Sequence, residues 1–118
     1  MDKRAIEIKR ILKKQYPEAT FRVRIEKYSG GETIYIYTDL VKEFTPEEAE
    51  AHWLYNTGQV TEITEVVERM KKKKARNKKI DQDIHRLLKD YYHIAYDEYS
   101  GEVLLGGNTY LDILPKEG

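Results

Sequence analysis

Apolar and polar residues alternate through residues 20–39, TFRVRIEKYSGGETIYIYTD, and this stretch sets the plan of the chain. Phe21, Val23 and Ile25 alternate with Arg22, Arg24 and Glu26, while Ile34 and Ile36 alternate with Thr33, Tyr35 and Tyr37. A period of two sends each set to its own side of a strand, so two strands are predicted, each with one buried face. Ser29-Gly30-Gly31-Glu32 supplies the turn between them, because glycine reaches positive φ without steric cost. Pairing Tyr28 with Thr33 sets Ile25 opposite Ile36 and Arg24 opposite Tyr37. The aliphatic residues then share one face of the hairpin, and the arginines and tyrosines share the other.

Helical spacing governs the flanks. Ala5, Ile8, Ile11 and Leu12 form one apolar stripe across residues 2–16, and Pro17 stops that helix. Thr45-Pro46-Glu47-Glu48 combines a cap, a proline suited to the first turn and the glutamate of a capping box. It opens a helix over residues 45–57 that turns Ala49, Trp53 and Leu54 inward and ends at Asn56-Thr57-Gly58. Ile63, Val66, Val67 and Met70 predict a third helix over residues 61–75. The apolar pattern lapses through residues 71–79, KKKKARNKK, and resumes at Ile80, Ile84, Leu87, Leu88 and Tyr91. Met70 and Ile80 are about 80° out of phase at 3.6 residues per turn, which predicts a break or bend near Arg76-Asn77.

Residues 93–98 and 103–105 flank a turn at Tyr99-Ser100-Gly101-Glu102 and read as a second hairpin. Residues 110–114 add an edge strand, and residues 116–118 are expected to fray. Ile8-Lys9-Arg10-Ile11-Leu12-Lys13 is echoed by Ile84-His85-Arg86-Leu87-Leu88-Lys89, and Glu26-Lys27-Tyr28-Ser29-Gly30 by Asp97-Glu98-Tyr99-Ser100-Gly101. The expected fold is a single α+β domain over residues 1–118, in the order helix, hairpin, helices, hairpin. Its antiparallel sheet of two β-hairpins, four to five strands in all, packs on the amphipathic helices.

Ile8 to Lys14, Tyr16-Pro17, Phe21-Arg22-Val23-Arg24, Tyr28-Ser29-Gly30-Gly31 and Tyr37-Thr38-Asp39 together resemble one of the large polyvalent protein-associated domains of phage and mobile-element proteins. The resemblance covers about a third of the chain, residues 5–39. It implies a mobile-element context, and brings no catalytic residue with it.

Composition narrows the chemistry. Acidic and basic residues balance at 21 each, so no global field attracts or repels a polyanion and local clusters must be weighed. The absence of cysteine excludes disulfides, thiol catalysis and thiolate metal sites. No apolar run approaches the ~20 residues that span a bilayer, and MDKRAIEIKR has no apolar signal core, so a cytoplasmic protein is expected. His52, His85 and His93 lack metal-ligand spacing, and the chain shows no phosphate loop, nucleophile elbow or isolated carboxylate pair. No enzyme, metal or cofactor is therefore expected.

Three surfaces remain. Arg22, Arg24, Tyr35 and Tyr37 interleave cations with rings, which suits single-stranded nucleic acid, although such cross-strand pairs also stabilise an exposed sheet. Lys71, Lys72, Lys73, Lys74, Arg76, Lys78 and Lys79 can neutralise phosphates, or form a solvated link between helices. Tyr91, Tyr92, Tyr96 and Tyr99 crowd together among ten tyrosines and suit a protein interface, or the rim of the core. Two functions follow. The first is a non-enzymatic nucleic-acid-binding accessory protein using the first two surfaces. The alternative is a module that binds or inhibits a host protein through the tyrosines, as an anti-defence protein does.

Overall fold

A computed structural model describes residues 2–59, 64–94, 99–102 and 107–116. The chain runs α1 (Lys3–Gln15), β1 (Phe21–Tyr28), β2 (Gly31–Thr38), α2 (Pro46–Asn56), α3 (Glu65–Leu87) and β3 (Asn108–Pro115). The capping box predicted at Thr45 forms, and Asp2 caps the first helix. The Asp2 carboxylate accepts from the Arg4 N–H, and Thr45 and Glu48 close a reciprocal capping box with Pro46 in the first turn.

The sheet is mixed. Its order is β1-β2-β3, with β1 antiparallel and β3 parallel to the central β2. The expected four-to-five-stranded antiparallel sheet of two hairpins is therefore wrong: the described residues form three strands, and the last runs alongside β2. The cause lies in the connection. The chain leaves the far end of β2, passes through α2 and α3, and re-enters beside the start of β2; such a helical crossover makes the strands parallel. The strands expected over residues 93–98 and 103–105 fall largely outside the described residues. Of that segment, His93 makes an antiparallel bridge to Thr109, and each residue's N–H donates to the other's carbonyl. The helical half of the internal echo is present in α1 and the end of α3, but the described residues contain no second hairpin.

The register of the first hairpin also differs from expectation. Tyr28 pairs with Gly31, so Ile25 faces Ile34, Arg24 faces Tyr35 and Arg22 faces Tyr37, a shift of two residues. Gly30 alone takes the positive φ of the turn, at 91°. Gly31 serves another purpose as the first residue of β2: a Cβ there would stand 2.6 Å from the Asn108 carbonyl oxygen. Its missing side chain lets β3 close on β2, and the turn shrinks to Ser29-Gly30. A shift of two preserves the faces, because side chains alternate with that period.

One core joins both layers. Ile8 and Leu12 of α1, Phe21 of β1, Ile34 and Ile36 of β2, Ile84 and Leu88 from the end of α3, and Leu111 of β3 are all buried in it. The helix through the lysine run does not break at Arg76-Asn77; α3 is continuous for 23 residues. Lys73 and Asn77 continue the stripe of Met70, Ile80 and Ile84, and Ile84 is only about 40° from Met70 across four turns. Both polar residues are satisfied. Lys73 donates to the nearly buried Glu48 at 2.6 Å and to the Glu43 carbonyl, while Asn77 exchanges two hydrogen bonds with the Lys42 backbone. These contacts also set the roll of α2: Glu48 is its buried residue, Ala49 is exposed and Trp53 is 57% exposed, contrary to the expected inward face.

A second polar clamp ties α1 to the sheet. Arg4 donates through both terminal nitrogens to Glu32, one contact being 2.8 Å, and Thr109 adds a hydrogen bond at 2.9 Å. The Arg4 guanidinium holds Glu32 well below the ordinary carboxylate range, at about 2, and Lys73 with the Thr45 N–H does the same for Glu48. Lowered values mean that the stabilisation is complete above the ordinary value of 4.5 and is lost as pH falls toward 2. Thermal melts at about pH 6 and about pH 3 are expected to show a lower midpoint in acid, and a Glu32→Gln/Glu48→Gln variant a shallower fall. An equal fall in that variant would remove the two clamps from the acid response. Among the described residues no helix is long and apolar enough to cross a membrane.

Candidate nucleic-acid interface

The two faces of the sheet have different neighbours. Helices α1 and α3 bring Ile8, Leu12, Ile84 and Leu88 onto the aliphatic face. The opposite face presents Arg22, Arg24, Glu26 and Tyr28 from β1, Thr33, Tyr35 and Tyr37 from β2, and Tyr110, Asp112 and Leu114 from β3. No described helix packs on it.

Its rings and cations are ordered by the cross-strand register. The Arg22 guanidinium lies 5.9 Å from the Tyr37 ring centroid, and that of Arg24 lies 5.2 Å from Tyr35. The two rings are 6.3 Å apart and 22° from parallel. Positions i and i+2 of one strand project side by side, so β2 fixes the ring spacing and β1 supplies the cations. Tyr28 and Thr33 hydroxyls meet at 2.8 Å and anchor the turn end of the face. Arg24 is paired with Glu26 at 3.1 Å, and Asp112 stands beside Tyr35. At the other end, Thr20, Phe21, Arg22, Tyr37 and Lys116 line a small cleft. Both ends therefore mix cations with carboxylates: Arg24 with Glu26 and Asp112 near Tyr35, and Arg22 and Lys116 with Asp39, which accepts from the Thr20 N–H, near Tyr37. An arrangement of this kind offers stacking planes first and phosphate contacts second.

The lysine run belongs to the other layer. Its residues lie on α3, whose Ile84 and Leu88 pack on the aliphatic face, and they do not line the cleft beside Tyr37. Nor are its members equivalent. Lys71 donates to the Tyr55 hydroxyl at 2.8 Å and sits 4.2 Å from that ring's centroid, and Lys73 is committed to Glu48. Lys72, Lys74, Arg76, Lys78 and Lys79 are exposed.

The tyrosine cluster divides as well. Tyr91 and Tyr92 pack against the core; Tyr91 donates to Glu7 at 3.1 Å, and the Tyr92 ring meets His85 edge-on at 5.3 Å. Tyr99 is 98% exposed, and Tyr96 lies outside the described residues. The histidines are dispersed: His52 bonds Asn56 on α2, His85 bonds Asp81 on α3, and His93 pairs with β3.

The sequence reading missed a cationic surface on α1. Lys9, Arg10 and Lys13 line a groove with Arg22 and Val23 of β1. Their spacing on the polar side of α1 was visible, but which side of that helix meets β1 depends on how the two pack. Among the described residues, the fold and this face define a small α+β domain with a three-stranded mixed sheet and one face, rich in arginine and tyrosine, that no described helix covers. No family model, curated protein or solved structure matches the chain.

Proposed function

We propose that this protein binds single-stranded nucleic acid, without catalysis, on the open face of its sheet. The observation that carries this reading is the near-parallel pair Tyr35 and Tyr37, each under an arginine guanidinium, on a face that no described helix covers. Bases stack on tyrosine rings and on guanidinium planes alike, and such stacking accepts every base. Duplex DNA keeps its bases stacked on one another, so it gains little from this face. The resemblance of residues 5–39 adds a phage or mobile-element context to the proposal.

A fluorescence-anisotropy titration against single- and double-stranded oligonucleotides of one sequence, at low and at moderate salt, tests the reading. Preferential binding of the single strand is expected, with affinity falling as salt rises. Failure to bind the single strand at low salt would overturn it. Trp53 and Tyr99, which are 57% and 98% exposed, favour a second reading as a protein-binding or inhibitory module, because exposed aromatics anchor interfaces.

A further inference from the structure

We infer that the groove between α1 and β1 holds the sugar-phosphate backbone of the strand whose bases stack on Tyr35 and Tyr37. This rests on the proposed function and assigns it a second surface, built from Lys9, Arg10, Lys13 and Arg22.

The groove lies along the outer edge of the sheet. Ile6, Lys9, Arg10 and Lys13 line it from α1, and Arg22 and Val23 line it from β1. Lys9 and Arg10 are exposed and carry no ion pair among the described residues. Lys13 lines the groove and donates to the carbonyls of Pro17 and Ala19 at 3.0 and 2.8 Å, which fixes its ammonium beside the chain's entry to β1. Ile6 is 46% exposed and contributes an apolar wall suited to sugar rings.

Arg22 makes the groove continuous with the open face. It lines the groove, and its guanidinium lies over Tyr37 on the other side of the β1 edge. Lys116 lines the cleft beside Tyr37, where the Asp39 carboxylate is its neighbour. Cations thus run from α1, around the edge at Arg22, to the Tyr37 end of the face. A strand laid along this path keeps its phosphates in the groove while its bases turn over the edge onto the rings. The lysine run of α3 lines neither the groove nor the cleft beside Tyr37, and Lys71 and Lys73 are engaged with Tyr55 and Glu48.

The salt dependence of binding distinguishes the surfaces, since each phosphate contact to a single strand contributes about 0.7 to the slope of log affinity against log salt. Labelled oligothymidylate is titrated between about 50 and 200 mM salt against the intact chain and three variants. Lys9→Gln/Arg10→Gln is expected to lower the slope by about 1.4, or two contacts. Tyr35→Ala/Tyr37→Ala is expected to weaken binding at every salt and keep the slope. Lys72→Gln/Arg76→Gln is expected to resemble the intact chain. If the intact chain binds and Lys9→Gln/Arg10→Gln keeps its slope, the groove assignment is overturned while the stacking reading stands. A slope lost in Lys72→Gln/Arg76→Gln instead moves the backbone to α3. Failure of the intact chain to bind removes both.

Discussion

Replacing Ile36 by alanine is expected to lower the unfolding free energy by about 2–5 kcal/mol. Ile36 is fully buried in the central strand, opposite Val23 on one side and Ile113 on the other, beneath a core to which α1 and α3 both contribute. Truncation removes three carbons from this site and leaves a cavity that the hydrogen-bonded strands on both sides keep from collapsing. A domain of this size commonly has about 5–15 kcal/mol in all, so the variant would be partly unfolded or close to it. Urea denaturation followed by circular dichroism measures the change. Ile6→Ala, at a position 46% exposed, serves as the comparison and is expected to change stability by less than about 1 kcal/mol. Equal effects at the two positions would contradict the assignment of Ile36 to the core.

Removing both rings in Tyr35→Ala/Tyr37→Ala is expected to weaken single-strand binding by at least roughly 30-fold. Stacking contributes about 1–3 kcal/mol per base, and the lower bound for two rings corresponds to that factor. Tyr35→Phe/Tyr37→Phe keeps both stacking planes and is expected to bind nearly as the parent does. That contrast separates stacking from hydrogen bonding by the hydroxyls. Loss of the arginine–ring contacts costs about 0.5–1 kcal/mol each at an exposed site, so melting curves of both variants accompany the titration. Parent-like affinity in a folded alanine variant would sink the stacking reading, and the face would then belong to cross-strand stabilisation alone.

The Arg/Tyr face was legible in the sequence for a specific reason. Its residues alternate with period two, and a register shift of two residues exchanges partners without exchanging faces. Arg22, Arg24, Tyr35 and Tyr37 therefore stand on one side of the sheet whether Tyr28 pairs with Thr33 or with Gly31. The groove was not legible in this way. Lys9 and Arg10 belong to the site through the packing of α1 against β1, a contact between elements that a helical period does not specify. The tyrosine cluster shows the converse: adjacency in sequence suggested one patch, whereas Tyr91 and Tyr92 pack against the core and Tyr99 projects outward.

Local physical chemistry by itself determined the first helix, the strands of the hairpin and the capping box at Thr45, because each depends on residues within one or two turns of one another. Only the tertiary structure decided the direction of β3, the register at Gly31 and the continuity of α3. The direction of β3 follows from a crossover that brings together strands far apart in the chain. With that register Gly31 enters β2, where the Asn108 backbone occupies the space in which a Cβ would stand, so a glycine is needed there. Lys73 and Asn77 look like a gap in an apolar stripe until Glu48 and the Lys42 backbone are placed beside them, since a polar group joins a buried seam only when a partner satisfies it.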